Sequence, residues 1–524
     1  MGSYFNPGNE KFFEACNSEI YVDKTRLLHY TNSVLRTNNK YICVSRPRRF
    51  GKSMAANMLV AYYSKGCCSK ELFQKYQISA SESFEKYCNY YNVIFLNMQE
   101  FFSRTHSIDS MLDLLRGRVL REILRAYPQV DYYDKNDLIG SIQDIYDETK
   151  EPFLFIIDEW DCVFRELKTD KISQKKYLDF LRDLLKDKAY LHLVYMTGIL
   201  PIKKYGTHSA LNMFDEFSML DQAKLIEYVG FTEQEVQILC ETYQMDFEET
   251  KQWYDGYVLE QNYHIYNPRS VVRAMLTHRY NNYWNQTETF EALRDYIVMN
   301  YDGLRTMIIE LLAGNSKEIR IGTFSNDMTT FTSADDVLTL LVHLGYLGYH
   351  FDTKEVYIPN AEVEEEFVNA IQNAGWDEVV QAIEISEQLL NATWNMEEEK
   401  VADGIEKVHL DTSILTYNDE NALSCTISLA YYSARRYYTA IREYPTGKGF
   451  ADIIYLPKKK YLDKPAIVVE LKWDKNAKSA ISQIKEKQYV HALEDYKGNL
   501  LLVGINYERK NKKHDCKIEK YNIK

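Results

Sequence analysis

The sequence predicts a multidomain α/β protein whose N-terminal part is a parallel sheet wrapped by helices, and three observations carry that expectation. The chain has 524 residues, enough for about three or four domains of ordinary size. Between residues 40 and 220, apolar strand-like runs alternate with helical stretches, the order of a parallel sheet with helices on both faces. The first of these runs leads directly into SRPRRFGKS, Ser45 to Ser53, which ends in the Gly-Lys-Ser of a phosphate-binding loop.

The expected strands are YICVS (41–45), NVIFLNM (92–98), PFLFIID (152–158) and YLHLVYMTG (190–198). Their near-continuous apolar character suits strands buried on both faces. Residues 221–290 read mainly as helix, with FTEQEVQILCETY starting from a threonine cap. Residues 300–370 read helix, short strand, helix, then the alternating GYLGYHFDTKEVYIPN. A hairpin after two helices is compatible with a winged-helix module. Residues 375–405 form a polar helical connection. From about 410 there is a helix, then strands at FADIIYL and AIVVELK, another helix, and NLLLVGINY. The expected domains are 1–220, 221–295 as a helical lid, 296–405 as a helical, winged-helix-like linker, and 406–524.

Composition sets the class. With 45% hydrophobic and 27% charged residues the chain reads as a soluble globular protein, and no apolar run approaches the length that spans a bilayer. The start, MGSYFNPGNEKFF, lacks a charged region followed by an apolar block, so no secretory signal and no membrane partner are expected, and the expected location is cytoplasmic. Nine cysteines without CxxC spacing fit reduced thiols better than a disulfide framework or zinc site. The net charge of −13 argues against a surface coated uniformly for nucleic acid. It conceals an asymmetry, because residues 435–524 hold 21 Lys and Arg against 11 Asp and Glu, a net of +10 that leaves −23 on the rest. Any polyanion contact is therefore expected in the basic C-terminal quarter, although a solvated lysine-rich surface gives the same count.

Strand, tight loop and helix follow one another in YICVS, RPRRFGKS and MAANMLVAYYSKG. Gly51 lets backbone N–H groups approach phosphate, Lys52 can reach the β and γ phosphates, Ser53 can ligate Mg²⁺, and the helix N-terminus adds its dipole. Arg46 stands where the pattern G-x-x-x-x-G-K-S/T places its first glycine. Pro47 fixes the neighbouring backbone, while Arg48 and Arg49, with Phe50 between them and Gly51, raise the local positive potential. In FLFIIDEWD, Asp158 and Glu159 end an apolar strand where a magnesium-ordering carboxylate and a water-activating carboxylate are needed. The same pair also serves as plain helix caps. Thr197 in YMTG falls at the same sheet edge, as a γ-phosphate sensor or a strand-ending turn.

Near the C-terminus, Asp452 begins one strand and Glu470-Leu471-Lys472 ends the next. Residues i and i+2 of a strand point the same way, so Glu470 and Lys472 share a face, and a hairpin through PKKKYLDK brings Asp452 beside them. Two carboxylates suit Mg²⁺ or Mn²⁺, and the lysine can orient the attacking water or stabilise phosphorane charge. The spacing by itself also describes an ordinary edge strand.

With SRPRRFGKS, IIDEWD, TGILPIKKYGTHSALNMFDEFSM, WYDGY (253–257), YNPRSV (266–271) and YVDKT (21–25), the chain resembles a bacterial family of AAA-ATPase-like proteins that carry a C-terminal PD-(D/E)XK nuclease domain. The resemblance covers nearly the whole chain, and the arginine-rich loop with only its second glycine is that family's own form. It implies an ATPase core with ATP and Mg²⁺ held by Lys52, Ser53 and Asp158, with Glu159 as catalytic base. It also supports a metal-dependent nuclease at Asp452, Glu470 and Lys472, through an E-x-x-T-G-x-G-x-x-D signature at Glu443, Gly447, Gly449 and Asp452 and a helix glutamine at Gln483. Glu420 is a further acid or a helix-terminal charge. For the arginine that completes the ATP site, Arg269 is one candidate, a surface arginine being the more ordinary reading.

The expected activity is ATP hydrolysis controlling a phosphodiesterase that acts on nucleic acid, DNA first, with homo-oligomerisation compatible. The alternative is an ATP-switched nucleic-acid-binding protein without cleavage. Intact Asp452, Glu470 and Lys472 favour the former. A regulator reading DNA through the winged-helix-like stretch is weaker, because VLTLLVHLGYLGY is apolar and its His343 reads as a core residue.

Overall fold

Apolar strands of five to eight residues assemble the first sheet, and each is buried along nearly its whole length. They are β1 (Tyr41–Ser45), β2 (Asn92–Asn97), β3 (Phe153–Asp158) and β4 (Leu191–Gly198), joined by a short β5 (Asp215–Phe217). The structure is a computed structural model that describes residues 2–202, 211–221, 223–259, 263–284, 289–326, 328–411, 420–446, 449–486, 499–511 and 513–521. The strand order is β2-β3-β4-β1-β5, and every pairing is parallel. Four of these strands lie within a residue of their expected positions. β5 was not expected, because three residues with two polar ones carry no periodic signal.

Register fixes what gathers at the C-terminal edge of this sheet. Val44 pairs with Thr197 and Ser45 with Gly198, while Asn97 pairs with Asp158. The phosphate loop, Asp158 and Thr197 thus leave the sheet on the same side, the side on which open α/β sheets bind ligands.

The chain divides into two compact units, Met1–Thr287 with Glu318–Val363, and Glu288–Lys317 with Glu364–Lys524. The division runs through the segment 296–405. In the first unit, the part expected as a helical lid has helices Glu233–Tyr243, Phe247–Tyr254 and Pro268–Thr277. It also contains an antiparallel sheet of Phe231–Thr232, Tyr263–Tyr266 and Tyr257–Leu259, which the sequence reading did not include. Val236, Cys240, Tyr254, Tyr266 and Met275 form its core. The expected threonine cap is present, since Thr232 and Glu235 form a reciprocal capping box. Helix Ala334–Leu344 and the hairpin Gly348–His350 with Glu355–Tyr357 follow as expected. His343 is buried and its ring stacks on Phe324, with centroids 5.7 Å apart.

The second unit holds a mixed sheet in sequential order, β6 (Tyr438–Thr446), β7 (Gly449–Pro457), β8 (Ala466–Trp473), β9 (Leu500–Glu508) and β10 (Lys513–Tyr521). All neighbours are antiparallel except β8 and β9, and helix Ala477–Glu486 makes the crossover that a parallel pair requires. Val468, Ile481, Ile484 and Leu502 pack the helix on the sheet. The outer strands β6 and β10 escaped the sequence reading, since KHDCKIEKY alternates charge with few apolar residues. Among the described residues no helix is long and apolar enough to cross a membrane.

Candidate functional sites

The phosphate loop is shaped by backbone strain and tight packing behind it. Gly51 adopts φ +90° as the residue before helix Lys52–Tyr63, a conformation that favours glycine. A Cβ placed on Gly51 would meet no atom within 4 Å, so the space before the loop is open, as a phosphate cradle requires. Arg49 also has positive φ, at 69°. The tip is clamped from behind. The Phe50 ring lies edge-on to Tyr257 at 5.4 Å, and the Tyr257 hydroxyl donates to the Gly345 carbonyl at 2.6 Å. Gly345 itself has φ +88°, and a Cβ there would fall 2.7 Å from the Pro47 ring.

Lys52 donates from Nζ to the carbonyls of Arg46 (2.9 Å) and Pro47 (2.8 Å), both at the entry of its own loop. Burial pulls its pKa below the ordinary lysine value, against the nearby charges of Glu159, Asp161 and Asp158. Ser53 is exposed on the first turn of the helix. Arg46 answers the question of the missing glycine, because it is 1% exposed and its Nη1 donates to the carbonyls of Phe217 (3.3 Å) and Ser218 (2.5 Å). The side chain therefore ties the loop to the end of β5. Burial lowers its pKa to about 10.

The acids stand at the end of β3. Asp158 is buried and accepts from the Thr197 hydroxyl and from the Glu159 N–H at 3.1 Å. Thr197 is itself fully buried, so it orients Asp158 from behind. Glu159 sits in the left-handed region at φ 54° and its carboxylate is held by Arg165. Burial raises the Glu159 pKa, with Arg165 and Lys52 opposing. Two residues of this group were not singled out in the sequence. Asp161 is fully buried and accepts the N–H groups of Ile199 (3.0 Å) and Leu200 (2.9 Å), which fixes the chain leaving β4. Arg165 lies 3.4 Å from Asp161 as well as against Glu159. The i,i+4 spacing of Asp161 and Arg165 was available as a signal, but its link to Glu159 depends on the tight turn between strand and helix.

Arg49 is drawn down to about 10 by burial, then by the charges of Arg269 and Arg48. The three guanidinium groups therefore share one neighbourhood beside the loop. Arg269 is exposed at the start of helix Pro268–Thr277, after the Asn267 cap. This cationic cluster suits an anion with more than one charge.

In the second unit, the pair Ile453 and Val469 places Asp452 and Glu470 at adjacent positions of β7 and β8. Asp452 Oδ2 accepts the Leu471 N–H at 2.6 Å. Lys472 Nζ contacts Glu470 Oε1 at 2.9 Å, both side chains being buried, which bears out the shared strand face. Gln483, on helix Ala477–Glu486, donates to the same Glu470 oxygen. Four of the expected residues are thus brought together by two strands and one helix. Glu443 lies on β6 between the pairs Arg442 with Ile453 and Tyr444 with Ala451, which puts its backbone beside that of Asp452. Gly449 opens β7 and Glu420 opens helix Glu420–Ala430. The side chains of Glu443 and Glu420, and all of Gly447, lie outside the described residues.

The donor sets fit hard divalent cations. Ser53 and Asp158 offer oxygen ligands beside the open phosphate cradle, and Asp452 and Glu470 offer carboxylates from adjacent strands.

Residues 10–207 match the family model described as predicted AAA-ATPase, and residues 418–516 match that of the PD-(D/E)XK nuclease superfamily. No curated protein matches the chain. Solved structures similar to it include Cdc6p from Pyrobaculum aerophilum, at 9% identity and TM-score 0.26, covering 69% of this chain and 98% of that one. The ORC2 protein of Aeropyrum pernix, in ADPNP–ADP complexes, matches at 12% identity and TM-score 0.31, covering 68% and 97%. The ORC1 protein of the same organism, in complex with DNA, matches at 12% identity and TM-score 0.22, covering 94% and 100%. The two family matches, not these distant likenesses, support the functional reading.

Proposed function

We propose that the protein binds and hydrolyses ATP in its first unit, and that its nucleotide state governs a metal-dependent nuclease in the second. The observation that carries the nuclease half is the convergence of Asp452, Glu470, Lys472 and Gln483 on one sheet face. The ATPase half rests on an open glycine cradle whose lysine is held by its own loop carbonyls.

At the nucleotide site, Lys52 exchanges its carbonyl partners for β and γ phosphate oxygens, and the backbone N–H groups around Gly51 receive the rest of the anion. Arg48, Arg49 and Arg269 add charge where the phosphate chain enters. Ser53 and Asp158 would hold the Mg²⁺ that accompanies the nucleotide, which would supply charge neutralisation at the β and γ phosphates. Thr197 keeps Asp158 in position. Glu159 accepts the proton of the attacking water once its carboxylate leaves Arg165.

At the nuclease site, Asp452 and Glu470 would hold Mg²⁺ or Mn²⁺, which would activate water and offset charge on the scissile phosphate. Gln483 orients the Glu470 carboxylate. Lys472, released from Glu470, stabilises the phosphorane. The surrounding segment, with 21 Lys and Arg against 11 Asp and Glu over 435–524, supplies the attraction for a polyanion, DNA being the first candidate.

The test is incubation of the purified full chain with plasmid, single-stranded DNA and RNA, with Mg²⁺ or Mn²⁺, with and without ATP. Cleavage by the wild type that is lost in both Asp452→Ala and Glu470→Ala supports the proposal. Tight binding of nucleic acid with no cleavage of any form replaces it with an ATP-switched binding protein.

A further inference from the structure

Three elements of the first unit bring metal-ligating side chains of residues outside the phosphate loop to one point. Glu233 opens helix Glu233–Tyr243, Asp255 directly follows helix Phe247–Tyr254, and His264 lies on strand Tyr263–Tyr266. One ligand atom from each lies within 4.8 Å of the others. His264 Nδ1 is 2.8 Å from Asp255 Oδ2. The Lys251 ammonium stands beside them, 2.7 Å from Glu233 Oε1 and 3.9 Å from Asp255 Oδ2.

The present partners leave this group incompletely satisfied. Asp255 is only 5% exposed, yet its Oδ1 makes no well-formed hydrogen bond, the Gly256 N–H being a backbone donor beside the carboxylate. A buried carboxylate oxygen without a well-formed hydrogen bond is costly. Lys251 does not relieve it, since at 3.9 Å the ammonium makes a loose ion pair and no hydrogen bond with Asp255. Two carboxylates and a neighbouring imidazole would serve one divalent cation better than they serve a single monovalent ammonium. The mixed nitrogen and oxygen donors select a borderline transition metal such as Zn²⁺ or Co²⁺ over Mg²⁺ or Ca²⁺. Access is available, because the side chains of Glu233, Lys251 and His264 are 40%, 37% and 25% exposed. Lys251 can therefore swing into solvent. The N-terminal dipole of the helix at Glu233 opposes a cation there, but two carboxylates outweigh half a charge.

We propose that Glu233, Asp255 and His264 bind a divalent transition-metal cation, and that Lys251 holds its place in the metal-free protein. The cation cross-links two helices and the small sheet, and so stiffens the segment whose Tyr257 packs on Phe50 of the phosphate loop. Its ligands, Glu233, Asp255 and His264, are different residues from those proposed to hold the nucleotide's Mg²⁺ or the nuclease metal.

The test uses the full chain carrying Asp452→Ala and Glu470→Ala, which removes the nuclease metal ligands, with nucleotide absent. Zn²⁺ is titrated by calorimetry, and Co²⁺ is used as an absorption probe. Against this background, His264→Gln and Glu233→Gln should each lose one equivalent of Zn²⁺ and the Co²⁺ bands that accompany it. Lys251→Ala should bind that equivalent at least about tenfold more tightly, because a competing unit charge a few Å away is gone. Glutamine retains hydrogen-bonding capacity at both positions, and metal-free melting curves show whether either variant is misfolded. Lys251 is exposed enough that its variant folds, so its result stands alone. Zn²⁺ stoichiometry unchanged by folded His264→Gln, or an affinity that Lys251→Ala leaves the same or weaker, overturns the proposal.

Discussion

Glu159 shows how the environment of one residue sets the behaviour of a site. As the proposed base its carboxylate has to be ionised to accept a proton from water, and burial raises its pKa above the ordinary glutamate value. The deprotonated fraction therefore falls as pH drops through that raised value, so the rate of ATP hydrolysis should decline on the acid side at a higher pH than an unperturbed glutamate would give. Glu159→Gln should keep ATP bound and slow turnover by about 100-fold or more, within the range for loss of a general base. Hydrolysis at the wild-type rate in that variant would assign Glu159 to capping alone. Asp158 and Glu159 were legible in the sequence, but the residue that restrains Glu159 was not. Arg165 makes its contact because Glu159 turns back at positive φ, a conformation that no local pattern announces for a glutamate. Arg46 was legible as a departure from the motif, but its role was not, since its carbonyl acceptors Phe217 and Ser218 lie about 170 residues away in sequence.

The elements that hold these residues differ in how much of them the sequence reveals. Long apolar strands such as β3 are buried on both faces and read directly, whereas the strands Phe231–Thr232 and Tyr257–Leu259 are too short to show a period. Those short strands matter, because they carry Tyr257 to the back of the phosphate loop. Gly345, which ends helix Ala334–Leu344, is pressed on Pro47 and Trp284. Gly345→Ala meets both positive φ and a 2.7 Å contact, so it should lower the melting temperature and weaken ATP binding together. Calorimetry beside a melting curve checks this, and a variant that binds ATP as tightly as wild type would separate the loop from that helix. The Thr232 capping box provides a milder comparison. Thr232→Ala should cost about 1 kcal/mol of stability, measured by denaturant unfolding, while Lys52 and its partners stay in place.

At the scale of the molecule, two units with separate cores carry the two candidate sites. The unit boundary was not legible, because the chain passes between the two cores at 317/318 and 363/364, inside a run of helices and short strands that no Pro- or Gly-rich linker interrupts. The charge asymmetry was legible, and it makes a prediction of its own. If residues 435–524 hold nucleic acid by phosphate contacts, affinity should fall steeply and log-linearly with salt, as titrations at several salt concentrations would register; a flat response would remove the polyanion reading. If the nucleotide state of the first unit controls cutting by the second, the rate of cutting must follow ATP through Lys52. The most direct measurement is the rate of DNA cleavage with Mg²⁺ or Mn²⁺, with and without ATP, in wild type and in Lys52→Ala. A rate that responds to ATP in the wild type and no longer responds in Lys52→Ala, with Asp452→Ala inactive throughout, is the predicted result. Cleavage whose response to ATP is unchanged by Lys52→Ala would contradict it.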